Sequence, residues 1–390
     1  MSATQFSTTT KVFHWLTALL ILTIIPLGVI AGRLPFETDA QIAQKTLLFS
    51  LHKTLGITVF VVALARIAYA LTQTKPAPLH PDRRAETFLA EVVHWLLYVS
   101  LVLVPLTGWI HHASAAVAAP VWIPFANSLP FVPVDPTVSD LFGGLHWIWS
   151  KIMVASILLH IAGALKHHFI DRDATLRRMW FGNTQTPPLA HKTSRLPAIV
   201  ALGIYAIVAG LGAAAGLYSH SAPAERAALE AAPSEWQVET GTIAVTITQL
   251  GNTVTGQFEN WTSAITFDET AQGQAGSVTT QIDVGSLTLG SLGAQAMGPD
   301  FFDQPQFATA TYAADLIEDN GSYRAEGTLT IKDQSIPLAF GFDLDVTDNV
   351  ANMTGQTTLD RRNFGIGDSV TDEANLGFQV DVTLSLNAIK

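Results

Sequence analysis

The sequence contains no cysteine, and this absence removes several kinds of site at once. Disulfides, thiolate metal centres, iron–sulfur clusters and the C-x-x-C-H attachment of c-type haem all need cysteine sulfur. Histidine is also absent from the last part of the chain, because none of the twelve histidines lies beyond His220. That part therefore cannot build a His- or Cys-ligated catalytic metal centre or a nucleophile–histidine pair.

Charged residues are scarce: they make up 14% of the chain, against roughly 25% in soluble domains. Hydrophobic residues make up 48%, and the mean hydropathy is +0.31. The charges are divided unevenly, with 15 Lys and Arg against 9 Asp and Glu in residues 1–219, and 6 against 23 in residues 220–390. We infer that the two parts occupy different surroundings, and that the acidic part does not bind nucleic acid.

Long apolar runs account for the high hydropathy, and five of them approach the roughly 20 residues that a membrane-spanning helix needs. The N-terminus lacks the basic start and the small-residue cleavage site of a removable signal, so we interpret the first run as a retained anchor. The sequence therefore predicts a multi-pass membrane protein. The runs cover residues 12–30, 51–71, 89–110, 145–165 and 196–218.

The distribution of positive charge orients these spans in the membrane. Lys75, Arg83 and Arg84 lie between the second and third runs, and six more Lys and Arg lie between the fourth and fifth. The connection at 112–144 has none. We expect a cytoplasmic N-terminus in a bacterial inner membrane, four spans that return the chain inside, and a fifth that carries the C-terminal part into the periplasm.

The fifth run differs from the others in being rich in Gly and Ala. Gly212 and Gly216 form a small-xxx-small pair suited to close helix packing. One interpretation is a face that docks on the other helices. The other is a tether for the domain that follows, and the composition alone favours the tether.

Beyond Trp236 the pattern changes to an alternation of period two. About eight segments rich in Thr, Val and aromatic residues are separated by Asn, Gly, Asp and Pro, as in SIPLAFGFDLDV and GFQVDVTLSLNAI. This pattern predicts an antiparallel barrel or sandwich, and a barrel of eight strands is wide enough to hold one small ligand. The pattern leaves open whether its interior is a packed core or a lined cavity.

Five histidines lie inside the apolar runs, where hydrocarbon offers an ionisable side chain no partner, and four of these have depths that match in pairs. His146 and His160 share one face of the fourth span but lie about 21 Å apart along it, so one metal ion cannot bind both. The topology places His14 at the depth of His160 and His52 at the depth of His146. A single membrane histidine can simply bond to a neighbouring carbonyl. Four at matched depths favour two haem groups, each held by two imidazoles.

Three further histidines lie toward the inner end of the predicted bundle. His94, in the third span, can contribute to a quinone pocket or bond at the membrane interface. His167 and His168 follow Lys166 at the membrane edge. We interpret them as interfacial residues or as neighbours of the propionates of the inner haem.

Polar candidates at the outer end are Lys53, His111 and His112. Lys53 follows His52 and can contact a propionate or another anion, or it can extend its ammonium group to the surface. His111 and His112 can border the outer haem.

The stretches around these histidines resemble the bacterial cytochrome b561 family over about residues 6–185. The matching stretches are KVFHWL, SLHKTLGI, VPLTGW and HWIWSKIMVASILLHIAGALKHH. The resemblance implies two haem b groups, ligated by His14 with His160 and by His52 with His146. It also implies electron exchange with a membrane quinone such as ubiquinone. Some members of the family oxidise superoxide at the outer face and pass the electron to ubiquinone.

The C-terminal part resembles the YceI-like family over about residues 235–389, most specifically in DFFDQPQFATATY and RRNFGIG. The resemblance implies a periplasmic lipocalin-like barrel with an elongated apolar tunnel for an isoprenoid tail, including that of a quinone. Phe301, Phe302 and Phe307 are candidates for the tunnel wall, with ordinary core packing as the alternative.

These expectations give a multidomain protein with an all-α transmembrane part and an all-β part. As function we expect electron transfer between the quinone pool and a periplasmic-face partner, with superoxide:ubiquinone oxidoreduction as a narrower version. The alternative is a periplasmic isoprenoid-lipid carrier or sensor, in which the haem helices serve as anchor or redox input. The expected divisions are 1–185 for the four-helix di-haem domain, 186–219 for an inner loop and the fifth helix, 220–235 for a linker, and 236–390 for the barrel.

Overall fold

The computed structural model describes residues 5–74, 76, 78–80, 82–182, 184, 194–218, 229 and 234–390. Lys75, Lys192 and the expected linker at 220–235, apart from residues 229, 234 and 235, lie outside the described residues. The chain forms two compact units. The first contains Met1–Leu34, Lys45–Ala115 and Ala119–His220, and the second contains Pro35–Gln44, Ala116–Ala118 and Ser221–Lys390.

Five long helices are apolar enough to cross a membrane, which confirms the predicted spans. Most of them extend beyond the apolar runs; the second begins at Asp39 rather than near residue 51. The fifth ends at Ala214, before Gly216, whose positive φ of 71° is incompatible with continuing a helix. They are α1 (Thr8–Arg33), α2 (Asp39–Leu71), α3 (Arg84–Ser114), α4 (Pro136–Lys166), followed by a π-helical turn (His167–Asp171) and the short α5 (Thr175–Met179), and α6 (Leu196–Ala214).

Local sequence explains where two of these helices begin. Ser7 accepts a hydrogen bond from the backbone N–H of Thr10 at the start of α1. Asp135 does the same for Val138 at the start of α4, where Pro136 occupies the first helical position. Both are N-cap arrangements that satisfy backbone donors at a helix start.

The centre of the helical unit is an apolar layer built from α1, α2, α3 and α4. Met153 of α4 lies in this layer, seven residues from His146 and seven from His160. The layer therefore lies midway between the two predicted levels of histidines. Its buried members are Ile21, Ile24, Val59, Ala63, Leu101, Val104 and Met153.

The fifth helix, α6, packs against α3 and α4, contrary to our preference for a tether. Tyr205 and Ala201 share a buried cluster with Val92, Leu96 and Ile152. The Tyr205 hydroxyl bonds to the buried hydroxyl of Ser100 and donates to the carbonyl of Leu96 (3.2 Å). A buried hydrogen bond between helices holds α6 against α3, and composition alone could not reveal it.

The second unit is built on one antiparallel sheet of ten strands, which confirms the predicted all-β, lipocalin-like class. The strand order is β3-β4-β6-β7-β8-β9-β10-β1-β2-β5. A bridge between Trp236, directly before β1, and Ile265 of β3 brings the first strand of this order back to the β1 region, so the sheet curls. The strands are β1 (Gln237–Gln249), β2 (Asn252–Phe258), β3 (Trp261–Phe267), β4 (Gly273–Asp283), β5 (Leu287–Thr288), β6 (Thr309–Asp319), β7 (Ser322–Ile331), β8 (Gln334–Thr347), β9 (Val350–Asp360) and β10 (Leu376–Ile389).

The sequence pattern did not predict two of the strands, β3 and β5. β3 follows β2 after a turn of only two residues, so the alternation looked continuous, and β5 has two residues. Between β5 and β6 lie a 3₁₀ turn (Gly290–Leu292) and the four-residue α7 (Gly293–Ala296).

Candidate functional site

Four of the five histidines in the apolar runs lie together in two pairs, as their depths predict. His14 of α1 lies beside His160 of α4, with ring centroids 6.1 Å apart. His52 of α2 lies beside His146 of α4, with ring centroids 6.2 Å apart. Each pair thus joins α4 to a different helix.

The spacing within each pair fits two imidazoles that share one metal ion. With about 2 Å for each metal–nitrogen bond and roughly 1 Å from a ring nitrogen to the ring centre, opposed ligands have centroids about 6 Å apart. Both pairs match this separation. The donor set, two neutral nitrogens in an apolar bundle, is the one that a six-coordinate haem iron takes.

In the His52–His146 pair, backbone carbonyls fix the ring orientation. His52 Nδ1 lies 2.9 Å from the carbonyl oxygen of Ile24, and His146 Nδ1 lies 2.8 Å from that of Val104. Because a carbonyl only accepts, each Nδ1 carries the ring proton and each Nε2 keeps its lone pair. This is the tautomer that a metal ligand needs, held by an outer partner.

Two glycines leave the space that these rings occupy. A Cβ on Gly28 would lie 2.6 Å from His52 Cε1, and a Cβ on Gly108 would lie 2.8 Å from His146 Nδ1. Each glycine follows the accepting carbonyl by four residues, so one helical turn supplies both the acceptor and the clearance.

A third imidazole lies next to the His14–His160 pair. The ring centroid of His94 is 5.1 Å from that of His160, and His94 Nδ1 lies 2.6 Å from the carbonyl of Ala90. Arg66 of α2, whose guanidinium carbon lies 5.8 Å from the Tyr98 ring centre, acts electrostatically on both His14 and His160. Arg66 is a functional residue that the histidine pattern does not reveal, although a charge inside the apolar stretch VALARIAYAL is a functional signal by itself.

Lys53, His111 and His112 all lie near the His52–His146 end of the bundle. Lys53 Nζ lies 3.2 Å from His112 Nδ1 and donates to the carbonyl of Ala119 (3.2 Å). His111 Nδ1 lies 2.8 Å from the carbonyl oxygen of Ser139. These groups form a polar end to the apolar bundle.

His167 lies among three carboxylates at the other end of the helical unit. Its Nδ1 is 2.7 Å from Asp173 Oδ2 and 3.1 Å from Asp171 Oδ2, and its Nε2 is 3.2 Å from Glu86 Oε1. His80 Nε2 lies 3.1 Å from the same Asp173 oxygen. The neighbouring His168 is exposed, with its ring 4.8 Å from that of Phe169.

Asp173 organises the turn that follows the π-helix. Burial raises the pKa of its carboxyl, but hydrogen bonds from Thr175 and His167 outweigh burial and lower that pKa to about 2. Asp173 Oδ1 accepts from the Thr175 backbone N–H (2.8 Å), which closes a turn directly before α5. The carboxylate is therefore charged at neutral pH and holds α5 in place.

The barrel encloses a cavity of about 280 Å³, close to the lower end of ordinary ligand pockets. Its wall is apolar and aromatic, and Phe301 and Phe302 belong to it. Phe307 is not among the wall residues that the structure describes. Arg361 is the single charged residue among these described wall residues, and it donates five hydrogen bonds to backbone carbonyls of Ile366, Gly367, Val370, Leu376 and Gly377.

Comparison with known proteins divides the chain in the same two parts. Residues 5–182 match the family model of prokaryotic cytochrome b561, and residues 235–388 match that of the YceI-like domain. Cytochrome b561 homolog 2 of Escherichia coli (strain K12) is 28% identical over 177 residues, which are 45% of this chain and 90% of that protein. A protein named "Probable superoxide oxidase CybB" from Yersinia pestis is 25% identical over 167 residues, 43% of this chain and 90% of that one. The crystal structure of Burkholderia cenocepacia BcnA, 22% identical, aligns with 38% of this chain and 95% of its own, with a TM-score of 0.36.

Proposed function

We propose that this chain, which joins a prokaryotic cytochrome b561 domain to a YceI-like domain, is a di-haem electron-transfer protein of the bacterial inner membrane. It transfers electrons between the quinone pool and a partner at the periplasmic face. The proposal rests on one observation. The rings of His14 and His160, and those of His52 and His146, are separated by the distance expected for two imidazoles bound to one iron.

In this proposal His14 and His160 hold the inner haem b, and His52 and His146 hold the outer one. When bound, haem supplies one-electron transfer by cycling between ferrous and ferric iron. The protein's part is to fix the ligands and exclude water. The Ile24 and Val104 carbonyls set the tautomers of His52 and His146, and the apolar layer around Met153 separates the two levels.

We assign the quinone contacts to polar groups beside the two histidine pairs. At the inner level His94 lies against His160, and Arg66 adds a positive charge nearby. At the outer level Lys53 and His112 lie at the end of the bundle. His167 and His168 are the remaining candidates beside the inner propionates. His167 already contacts three carboxylates, two of which pair with Lys166 and Arg83.

A narrower form of the proposal is superoxide:ubiquinone oxidoreduction, in which Lys53 attracts the superoxide anion. It draws on the name of the Yersinia pestis relative. The two forms differ in the molecule that reduces the haems.

Stopped-flow absorbance of the purified, haem-loaded protein tests the function. Ubiquinol or superoxide is mixed with the oxidised protein, and the reduced haem band is followed. We expect at least one of them to reduce the haems on the millisecond-to-second scale. Reduction by superoxide that a dismutase abolishes identifies the narrower form. If neither reduces haem in protein that carries its full haem complement, the proposal is wrong.

A second candidate function rests on the barrel cavity. Among the wall residues that the structure describes, Arg361 is the one charged group, and backbone carbonyls already bond all three of its nitrogens. This favours a neutral hydrocarbon chain, such as an isoprenoid tail, over an ionic headgroup. In this alternative the barrel carries or senses lipid, and the helices anchor it or supply redox input. Mass spectrometry of lipid extracted from the barrel after proteolytic release from the membrane part tests it. Isoprenoid in stoichiometric amount supports the alternative, and a barrel free of lipid contradicts it.

A further inference from the structure

Arg178, on α5, is a buried cation whose hydrogen-bond donors are not all satisfied by the residues that the structure describes. Only 7% of its surface is exposed. Its Nε and Nη2 atoms are fully buried and have no hydrogen-bond partner among the described residues. A buried guanidinium without acceptors is strongly disfavoured, so these two donors indicate a group that binds there.

The described groups packed around Arg178 do not supply the missing acceptors. The ring of Phe6 covers the guanidinium, with its centre 5.3 Å from the guanidinium carbon. Asp173 acts on Arg178 electrostatically, but its oxygens bond to His80, His167 and Thr175. The contrast with Arg361 is direct, because there the backbone satisfies every donating nitrogen of a buried guanidinium.

The position of Arg178 connects it to the His14–His160 pair. The carbonyl of the next residue, Met179, accepts from Trp15 Nε1 (2.9 Å), and Trp15 follows His14 on α1. A second bond, from Lys11 Nζ to the carbonyl of Gly182 (2.7 Å), holds the same segment against α1. Arg178 is therefore held against the first turns of the helix that carries His14.

We propose that Arg178 binds a propionate carboxylate of the haem held by His14 and His160. Nε and Nη2 are the two nitrogens on one side of a guanidinium, and together they bind a carboxylate through two parallel hydrogen bonds. This inference rests on the proposed function, because it needs haem at that pair. Arg178 acts as a positioning residue, and its charge also raises the reduction potential, since a nearby cation disfavours ferric iron.

Redox titration of the haem-loaded protein in nanodiscs tests the inference. In Arg178→Gln we expect the reduction equilibrium of one haem to move about tenfold toward ferric, which is about 59 mV for a one-electron couple. The other haem should not move. Arg178→Lys keeps the charge and should recover most of the shift. Arg177→Gln, at the exposed neighbouring position, is the matched control and should titrate like the wild type.

A second variant identifies the haem concerned. In a His52→Ala background, which keeps only the inner haem, Arg178→Gln should still shift the remaining potential. Two haems with unchanged potentials in Arg178→Gln would overturn the inference and leave the proposed function intact; the donors then bind water or a lipid phosphate. Wild-type protein that binds no haem would overturn the proposed function itself. A variant that loses the haem of the His14–His160 pair while retaining the other supports the inference through haem retention.

Discussion

At the scale of single residues, the same arrangement of a carbonyl and a glycine positions His52 and His146. His52 is set by the Ile24 carbonyl and the clearance at Gly28, and His146 by the Val104 carbonyl and the clearance at Gly108. A carbonyl and a glycine four residues later lie on one face of a helix. The imidazole therefore approaches the backbone closely, with its proton directed into the helix and its free nitrogen directed away.

Filling that clearance should displace the ring. In Gly28→Ala, the new Cβ meets His52 Cε1 at 2.6 Å, and we expect the haem content to fall from two toward one per chain. Gly32→Ala, on the same helix with open space around its Cβ, is the matched control and should keep two. Haem per protein by the pyridine haemochrome assay measures both. Equal haem content in the two variants would show that the position of the His52 ring does not depend on Gly28.

The sequence predicted the four paired histidines because helix periodicity and span direction fix the depth and face of each residue. It did not single out Arg178, whose burial depends on how the chain folds back after the π-helix and packs on Lys11 and Trp15. Arg66 was predictable from its place in an apolar run. A charged residue inside a span is a functional signal whatever its type.

At the scale of elements, the docking of α6 depends on a buried polar contact. The Tyr205 and Ser100 hydroxyls bond to each other, and the Tyr205 hydroxyl also donates to Leu96. Small residues let α6 approach its neighbours, but composition could not distinguish this packing from a simple tether. The decisive contact joins residues more than a hundred positions apart.

Removal of one hydroxyl should loosen this helix. For Tyr205→Phe we expect the free energy of unfolding to fall by about 1 kcal/mol, the usual size of an interhelical hydrogen bond in a membrane. Reversible unfolding in mixed micelles measures it, in a double-mutant cycle with Ser100→Ala. Strictly additive effects of the two substitutions would show that the hydroxyls do not interact.

In the barrel, Arg361 lies directly after β9 and donates hydrogen bonds both to the loop before β10 and to the start of β10. Its five hydrogen bonds to backbone carbonyls make it a structural cation. We expect Arg361→Met to reduce barrel stability by at least about 3 kcal/mol, because buried carbonyls lose charged donors. Pulse proteolysis of the full chain in urea measures this.

The neighbouring residue provides the control for that experiment. Arg362 is half-exposed and pairs with Asp360, and an exposed ion pair contributes at most about 1 kcal/mol. Arg362→Met should therefore resist proteolysis nearly as well as the wild type. Similar losses in both variants would contradict the structural role of Arg361.

At the scale of the whole molecule, the sequence predicted an all-α membrane part and an all-β part. Hydropathy separates helical from strand periodicity clearly over such lengths. It could not give the barrel's strand count, because a two-residue turn hides β3 and a two-residue strand has no pattern. The cavity likewise depends on how the curled sheet closes between Trp236 and Ile265.

The expected topology has a direct test. Alkaline phosphatase fused after Lys390 should be active, and fused after Arg84 it should be inactive, because the enzyme matures only in the periplasm. Green fluorescent protein at the same two sites should give the reverse pattern. Phosphatase activity only at the Arg84 site would contradict the positive-inside assignment.

The central claim is that two haem b groups are held by His14 with His160 and by His52 with His146. The most direct measurement is haem per chain, with low-temperature spectra, in the wild type and in His52→Ala and His14→Ala. We predict two haems with bis-histidine spectra in the wild type and one in each variant, with the two variants retaining spectrally different haems. A wild type with one haem or none, or a His52→Ala variant that keeps both, would contradict the account.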